Sequence, residues 1–299
     1  MKNVKLILIL LIASQFLMSG KLSSTKNSSE NIVKLSENDN GKYLLRLNPE
    51  VGKSGKMVMT LNMVIDMEMM GQSMSTTQKM EMASDMKIVS NTDEKVVTSM
   101  KYDYFAMSME APMMGSMTYD TRKDDNEGMM VEALEASFGE LLESEITIEQ
   151  SHDGTTLKTT GLEDESQLTT GQSNMDISSM MNMSQFPEKA IKIGDSWNKK
   201  IQGGSSPMTF DATYTLKKVE EGKVYVDLVS KVTMSEIQDE EGGSVSTEMT
   251  GIQTGTFIYE QATMWLLEGI INQDFDMEVE QMGMKIPMKL KSDIIMVVE

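Results

Sequence analysis

The sequence has no cysteine, a single histidine and only two arginines, and these shortages exclude several functions. Without cysteine there are no disulfides and no thiolate metal sites. His152 is the one imidazole available as a catalytic base, and Arg46 and Arg122 are the only guanidinium groups. The 46 acidic side chains outnumber the 27 basic ones. Such a chain repels phosphate backbones, so nucleic acid is excluded as a partner.

Long apolar runs are also lacking, apart from one near the N-terminus. Lys2 and Lys5 flank the apolar residues 6–12, and small residues follow at Ser19 and Gly20. This order is typical of a secretory signal peptide, and the run is too short to span a membrane comfortably. A bacterial lipoprotein would carry its lipidated cysteine at position 21, which is Lys21. We therefore predict export to the periplasm, cell surface or medium without a lipid anchor, and no transmembrane span once the signal is removed.

Three segments follow from the composition. Residues 1–20 form the predicted signal peptide. Residues 21–40, rich in Ser, Asn, Lys and Glu and without periodicity, are predicted to be a flexible leader. Residues 41–299 are predicted to form a single β-rich domain.

Methionine is abundant, with 33 residues, and it marks the central strand of the prediction. In residues 57–69 every odd position is large and apolar, and most even positions are small or polar. This period of two predicts a strand of roughly 43 Å with one apolar face. A strand of this length needs long neighbours and a cover over its methionine side.

Similar alternation recurs along the rest of the chain and predicts about a dozen antiparallel strands. Apolar faces recur in residues 74–88, 96–109, 208–216, 224–234, 245–259, 265–279 and 284–298. Residues 51–54 and 193–196 open the two halves alike and suggest a half-repeat. Lysines and Pro287 on the last strand favour an edge position for it. The predicted fold is mainly β, a long-stranded antiparallel curved sheet or open barrel.

Two stretches change to helical spacing and are predicted to cover the concave side of the sheet. In residues 129–143, Met130, Leu134, Phe138 and Leu141 recur three or four apart, with Asn126 as a cap. Residues 174–186 predict a second, short helix. Between them, residues 152–154 predict a hairpin turn.

A resemblance to known proteins rests on the second half. Residues 186–197 end in the turn Gly194-Asp195-Ser196-Trp197, and residues 255–259 follow a strand pair later. This pattern resembles a family of uncharacterised exported proteins from Bacteroidetes-type bacteria, although Ala262-Thr263 stands where that family has a Thr-Gly turn. The layout is also similar to the LolA and LppX type of lipoprotein carriers, which implies an open barrel with a helical lid over an apolar cavity.

Motifs that mimic catalytic or ion sites are interpreted as turns. Gly52-Lys53-Ser54 lacks the first glycine of a phosphate loop, since position 47 is Leu47. Ser196 has no Gly-x-Ser-x-Gly context, and its only potential base, His152, lies in a predicted turn. The acidic turns at 124–128 and 239–242 do not match a calcium loop. We predict no enzyme activity, no cofactor and no metal site.

The favoured function is binding of an apolar ligand such as a lipid, with methionine as an adaptable lining. The predicted lining residues are Met59, Met63, Met67, Met80, Met82, Met86, Phe138, Met180 and Met181. One alternative is a structural or interaction protein whose methionines only fill the core. A second is soft-metal binding, because thioethers suit Cu(I). For that alternative the best clusters are Met113, Met114 and Met117, and Met180, Met181 and Met183, although we expect little Cu(I) binding.

Overall fold

The computed structural model describes residues 41–69, 71–112, 115–127, 131–161, 185–202, 207–240, 243–281 and 283–299. The predicted signal peptide, the leader and nearly all of the second predicted helix lie outside these ranges. The described elements are β1 (Ser54–Met69), β2 (Gln72–Asn91), β3 (Val96–Ala111), β4 (Gly115–Asp120), α1 (Val131–Glu143), β5 (Glu145–Gln150), β6 (Thr156–Thr160), β7 (Ser196–Gln202), β8 (Thr209–Glu220), β9 (Lys223–Glu240), β10 (Gly243–Glu260), β11 (Leu266–Gln281) and β12 (Met284–Val298).

All these strands belong to one antiparallel sheet, in the order β6-β5-β3-β2-β1-β12-β11-β10-β9-β8-β7, with β4 also paired to β3. The sheet is curved and not closed into a barrel. The first and last strands pair in its middle. From β12 the second half runs back as an uninterrupted meander to β7, while β4 and α1 interrupt the meander of the first half. The predicted mainly-β curved sheet is confirmed.

The alternating sequence of β1 places its large apolar side chains on one buried side of the strand, as predicted. Leu61, Met63 and Ile65 are buried, while Asn62 and Val64 between them are exposed. Neighbouring strands repeat this alternation in register with β1, so their buried side chains share one side of the sheet, called here the inner face. The buried apolar residues of all these strands form a single hydrophobic cluster. Each such side chain stabilises the fold by about 1.5–3 kcal/mol.

The prediction that the last strand lies at an edge is wrong. Strand β12 pairs with both β1 and β11 and so lies in the centre of the sheet. Pro287 is tolerated because the ladder with β1 ends at Met288, one residue short of it. The lysines lie on the outer face of the sheet, where Lys285 forms an ion pair with Glu278 at 2.5 Å and Lys289 one with Asp276 at 3.7 Å.

The first predicted helix is confirmed over Val131–Glu143. Its Phe138 ring stacks on Phe105 of β3 at 3.7 Å between centroids. Asn126, the predicted cap, acts elsewhere: its side-chain oxygen accepts a hydrogen bond from the Asp120 backbone N–H at 2.7 Å. None of the described helices is long and apolar enough to cross a membrane.

Residues 41–53 form an extended segment across one end of the sheet, although the apolar residues at 43–47 would also suit a short strand. Leu45 is fully buried there. The Leu47 N–H donates to the His152 carbonyl at 2.8 Å, and the Asn48 N–H donates to the Thr263 carbonyl at 2.8 Å. Tyr43 forms an isolated bridge with Ile191. The segment therefore ties the β5–β6 turn to the β10–β11 turn.

The two halves open with the same turn, as the half-repeat suggests. Gly52 and Gly194 both have positive φ, 88° and 92°, which favours glycine. The Gly52 N–H donates to the Ile88 carbonyl on β2, and the Gly194 N–H donates to the Leu216 carbonyl on β8. The predicted resemblance between residues 51–54 and 193–196 is thus a shared backbone geometry.

Candidate ligand-binding face

Seven of the predicted lining residues lie on the inner face or against it, and all seven are buried. They are Met59, Met63, Met67, Met80, Met82, Met86 and Phe138. The first six come from β1 and β2, whereas Phe138 reaches the same cluster from α1. Met180 and Met181 lie outside the described residues.

Strand register assembles a line of methionines that no single strand reveals. Six methionines from six neighbouring strands stand directly opposite one another, in the order Met234, Met249, Met277, Met288, Met67 and Met74. Five are buried and Met74 is half-buried. Adjacent members lie on strands ~4.8 Å apart. This methionine row forms a continuous band of flexible, polarisable side chains across the inner face.

A second line, the polar row, crosses the same face parallel to the methionine row. Its members are Ser230, Gln253, Gln273, Ser292 and Gln78, with Met63 between the last two. Each polar residue is four positions along its strand from a member of the methionine row, or ~13 Å. All five are buried. Sequence reasoning missed this row, although each member visibly interrupts an apolar alternation.

Hydrogen bonds link part of the polar row. The Ser292 hydroxyl donates to Gln273 Oε1 at 2.8 Å, and Gln273 Nε2 donates to Gln253 Oε1 at 3.1 Å. Among the described residues, Gln78 Nε2 has the thioether sulfur of Met107 as its hydrogen-bond partner, at 3.1 Å, and this sulfur is a weak acceptor. Burying an amide without a good partner costs about 1–3 kcal/mol, so this row is expensive for a purely structural core.

Two glycines flank Gln253 on the inner face. A Cβ at Gly251 would lie 2.2 Å from the Asp274 carbonyl oxygen, and one at Gly255 would lie 2.5 Å from that of Ile270. The absent side chains let β11 approach β10 closely on either side of Gln253. Beside it is a cavity of about 10 Å³, space for about one water molecule. Its lining includes Ala212, Tyr214, Ser230 and Gln253.

The inner face carries almost no charge. Among the buried residues of the described ranges, Asp120 is the one Asp, Glu, Lys, Arg or His, and it pairs with Arg122 at the end of β4. Lys199 lies half-buried at the far end of the polar row, opposite Ala212 on β8. Opposite Ala212 in turn is Ser230. A charged ligand group within the face would therefore find Lys199 as its nearest cation along that row.

Single contacts, here called the seam, join the two ends of the sheet. Lys199 Nζ on β7 lies 3.8 Å from Asp153 Oδ2 in the β5–β6 turn. The Phe186 N–H donates to the Asp153 carbonyl at 2.7 Å, and Trp197 Nε1 donates to the Gln185 carbonyl at 2.8 Å. Among the described strands no β-ladder crosses the seam. Burial raises the pKa of Asp153, but hydrogen bonds from Ser151 and Thr155 and the charge of Lys199 lower it below its ordinary value.

Ser196 and His152 do not form a catalytic pair. The Ser196 hydroxyl contacts Thr215 Oγ1 at 2.8 Å. Both ring nitrogens of His152 contact backbone carbonyls, those of Leu47 at 2.6 Å and Thr92 at 2.7 Å. Gly194 lies in a turn, while Ser196 and Trp197 begin β7, where Trp197 stacks on Tyr214 at 5.5 Å. In the described ranges no group of three or more His, Cys, Asp or Glu is placed to hold a metal ion.

Comparison with known proteins gives a partial match to one family model and a similarity of fold to solved structures. A family of unknown function, DUF6263, matches residues 165–266, roughly a third of the chain, which include β7 to β10. A search of curated proteins gives no sequence match.

Among solved structures the chain is similar to lipovitellin, from a study of its lipid–protein interactions. The TM-score is 0.52 at 11% identity, over 84% of this chain and 25% of that one. The chain thus spans about a quarter of the length of this larger relative, and the likeness is one of fold. A weaker match is an outer membrane channel from Pseudomonas putida F1, with a TM-score of 0.28 and 7% identity over 85% of this chain and 97% of that one.

Proposed function

We propose that this protein is an exported, non-catalytic binding protein for an apolar ligand such as a lipid. The observation that supports it best is the inner face: a continuous apolar surface, crossed by the methionine row, on a curved sheet that does not close. Methionine side chains adapt their shape at little cost, which suits a lining that must accept a variable hydrocarbon.

The size of the face supports the same proposal. Eleven strands side by side span about 50 Å, whereas the 13 residues of α1 span about 20 Å. Helix α1 packs against β3 and also contacts β4 through the rings of Phe138 and Tyr119, so it covers only one part of the sheet. The buried side chains of the inner face beyond α1 must therefore be covered chiefly by other parts of the chain, such as the opposite half of the curved sheet, and a ligand would enter between the two halves.

The seam supplies a route by which the two halves could part. Opening a ladder between strands would break a series of backbone hydrogen bonds. Opening the seam breaks one partly exposed ion pair, worth at most about 1 kcal/mol, and a few single hydrogen bonds. The structure of lipovitellin, whose fold is similar, was described in terms of its lipid–protein interactions. This analogy favours lipid over other apolar ligands.

A zero-length cross-link tests the proposal. Carbodiimide activates the Asp153 carboxylate, and the Lys199 amine then attacks it and releases the activating group to form an amide across the seam. We expect the untreated protein to take up a fluorescent fatty-acid analogue and the cross-linked protein to take it up at least tenfold more slowly.

Asp153→Asn is the matched control, because its amide cannot be activated while the other ion pairs of the protein still react. Treated Asp153→Asn should keep the uptake rate of the untreated protein. Absence of probe binding in the untreated protein, together with absence of co-purified lipid in native mass spectra from its own host, would refute the proposal. That result would favour a structural or interaction protein with a methionine-rich core.

Soft-metal binding is a second candidate, and the methionine row is the observation that favours it. Adjacent thioethers on neighbouring strands can converge on one Cu(I), which prefers soft sulfur ligands. Competition with a chromophoric Cu(I) chelator under reducing conditions tests it, with Met277→Leu and Met288→Leu against Met284→Leu, an exposed methionine outside the row. No stoichiometric binding in the wild type would exclude this candidate.

A further inference from the structure

We propose that the polar row binds an uncharged polar group, an ester or amide, in the middle of an otherwise hydrocarbon ligand. This inference rests on the proposed function and names the class of its ligand. The expected ligand is two apolar segments joined by such a group, as in a wax ester or a glyceride.

The hydrogen-bonding capacity of Gln78 is the first reason. Its side chain is buried, with 5% of the residue exposed, yet among the described residues its amide nitrogen has a thioether sulfur as its hydrogen-bond partner. An ester carbonyl placed beside it would accept from Nε2, and an amide N–H would donate to Oε1, replacing a weak contact by an ordinary hydrogen bond.

The position of Met63 is the second reason. Met63 on β1 lies directly between Gln78 on β2 and Ser292 on β12. The two polar side chains are therefore two strands apart, ~10 Å. A polar group lying over the flexible side chain of Met63 would have hydrogen-bonding groups on both sides. Behind Ser292, the Gln273 and Gln253 amides continue the row and polarise its hydroxyl.

The apolar surface on both sides of the row is the third reason. Toward one end of the strands, four residues or ~13 Å separate the row from the methionine row. Toward the other end the same spacing leads to Met296, Met59 and Met82, which also stand opposite one another. A fatty acid or phospholipid carries its polar group at one end. The row lies between two apolar regions, so its ligand should carry the polar group between two hydrocarbon parts.

Charge excludes an ionised group at this place. The Lys199 ammonium is five strands from Ser292, ~24 Å along the sheet, and it is paired with Asp153. An anion beside Gln78 or Ser292 would therefore be buried without a counter-ion, which costs several kcal/mol or forces the group to become neutral.

The experiment compares three ligands on the full exported chain: triolein as the ester, squalene as the hydrocarbon and oleate as the anion, each displacing one fluorescent apolar probe. We expect the wild type to bind triolein at least tenfold more tightly than squalene. In Gln78→Leu this preference should fall at least fivefold, while squalene affinity and the urea midpoint stay the same or rise. Gln72→Leu, on the exposed part of the same strand, should keep the wild-type preference.

The outcomes separate this inference from the proposed function. Equal wild-type affinity for triolein and squalene, or tightest binding of oleate, would overturn the inference and leave apolar binding intact. An unchanged ester preference in Gln78→Leu would also overturn it. Displacement of the probe by none of the three ligands would refute the proposed function itself. The wild-type comparison decides the inference even where a variant fails to fold.

Discussion

Met63 shows at the scale of one residue how the sheet separates two environments. It is 2% exposed and lies between Ser292 and Gln78, whereas Asn62 points to solvent between Asp293 and Lys79. Two consecutive residues therefore lie on opposite faces of the sheet, Met63 in the buried interior and Asn62 on a charged surface. The alternation follows from the period of two in a strand.

We predict that Met63→Asp destabilises the protein by several kcal/mol, because the carboxylate would be buried without a counter-ion or forced to stay protonated. Asn62→Asp should change the free energy of unfolding by less than about 1 kcal/mol, as surface substitutions do. Urea denaturation of the two variants measures both effects. Equal tolerance of aspartate at the two positions would contradict the assignment of the inner face.

Asp120 provides a prediction about pH. Arg122 donates to both of its carboxylate oxygens, Nε to Oδ1 at 2.8 Å and Nη2 to Oδ2 at 2.9 Å. These bonds hold the pKa of Asp120 at about 2, although burial opposes them. An unfolded aspartate titrates near pKa ~3.9. The pKa of Asp120 is lower in the folded state than in the unfolded state. Its carboxylate therefore stabilises the fold fully above about pH 4, and this stabilisation is lost as the pH falls toward 2.

Asp120→Asn should therefore lower the free energy of unfolding by about 1 kcal/mol at pH 7. The difference from the wild type should shrink between pH 4 and pH 2. Urea denaturation across this range measures it, with Asp124→Asn in the exposed turn beyond as the control. A difference that stays constant with pH would show that the carboxylate charge is not what stabilises this corner.

At the scale of elements, glycines set how closely β10 and β11 approach. Gly255 faces backbone, since its missing Cβ would meet the Ile270 carbonyl oxygen at 2.5 Å. Gly139 in α1 is the opposite case, because nothing lies within 4 Å of its Cβ position. Glycine in a helix interior costs about 0.8–1 kcal/mol relative to alanine.

The two substitutions to alanine should therefore have opposite signs. Gly255→Ala should destabilise the protein by more than about 2 kcal/mol, because a strand must shift. Gly139→Ala should stabilise it by up to about 1 kcal/mol. Thermal unfolding of both variants checks the pair. A neutral Gly255→Ala would mean that β10 and β11 can separate freely beside Gln253.

At the scale of the whole molecule, the sheet is held in its middle by the pairing of β1 with β12 and at its ends by the seam. The first of these is a ladder of backbone hydrogen bonds and the second a few single contacts. The protein should therefore open at the seam before it unfolds. Hydrogen exchange should be faster in β6 and β7 than in β1 and β12.

Export is a prediction about the whole chain that rests on its first residues. The basic, apolar and small residues of 1–20 predict cleavage near Gly20 to Leu22 and no added lipid. Intact mass of the protein recovered from outside the cytoplasm measures this. A retained N-terminus, or an additional acyl mass, would contradict it.

Several local features of the fold could be predicted from short stretches of the sequence. Alternation in 57–69 specified β1 and its buried side, helical spacing specified α1, and residues 152–154 specified a hairpin turn. These features depend on neighbours within a few residues, so their signal is contained in short stretches. The buried position of the methionines of β1 and β2 was predictable for the same reason.

Which strands are neighbours could be read only from the folded sheet. Lysine and proline on β12 indicated an edge, yet the strand pairs with both β1 and β11, and its lysines contact acidic side chains of β11 on the outer face. The methionine row and the polar row exist only once six strands are aligned in one register. Pairing between residues more than 200 positions apart depends on the packing of the complete sheet, and no local pattern encodes it.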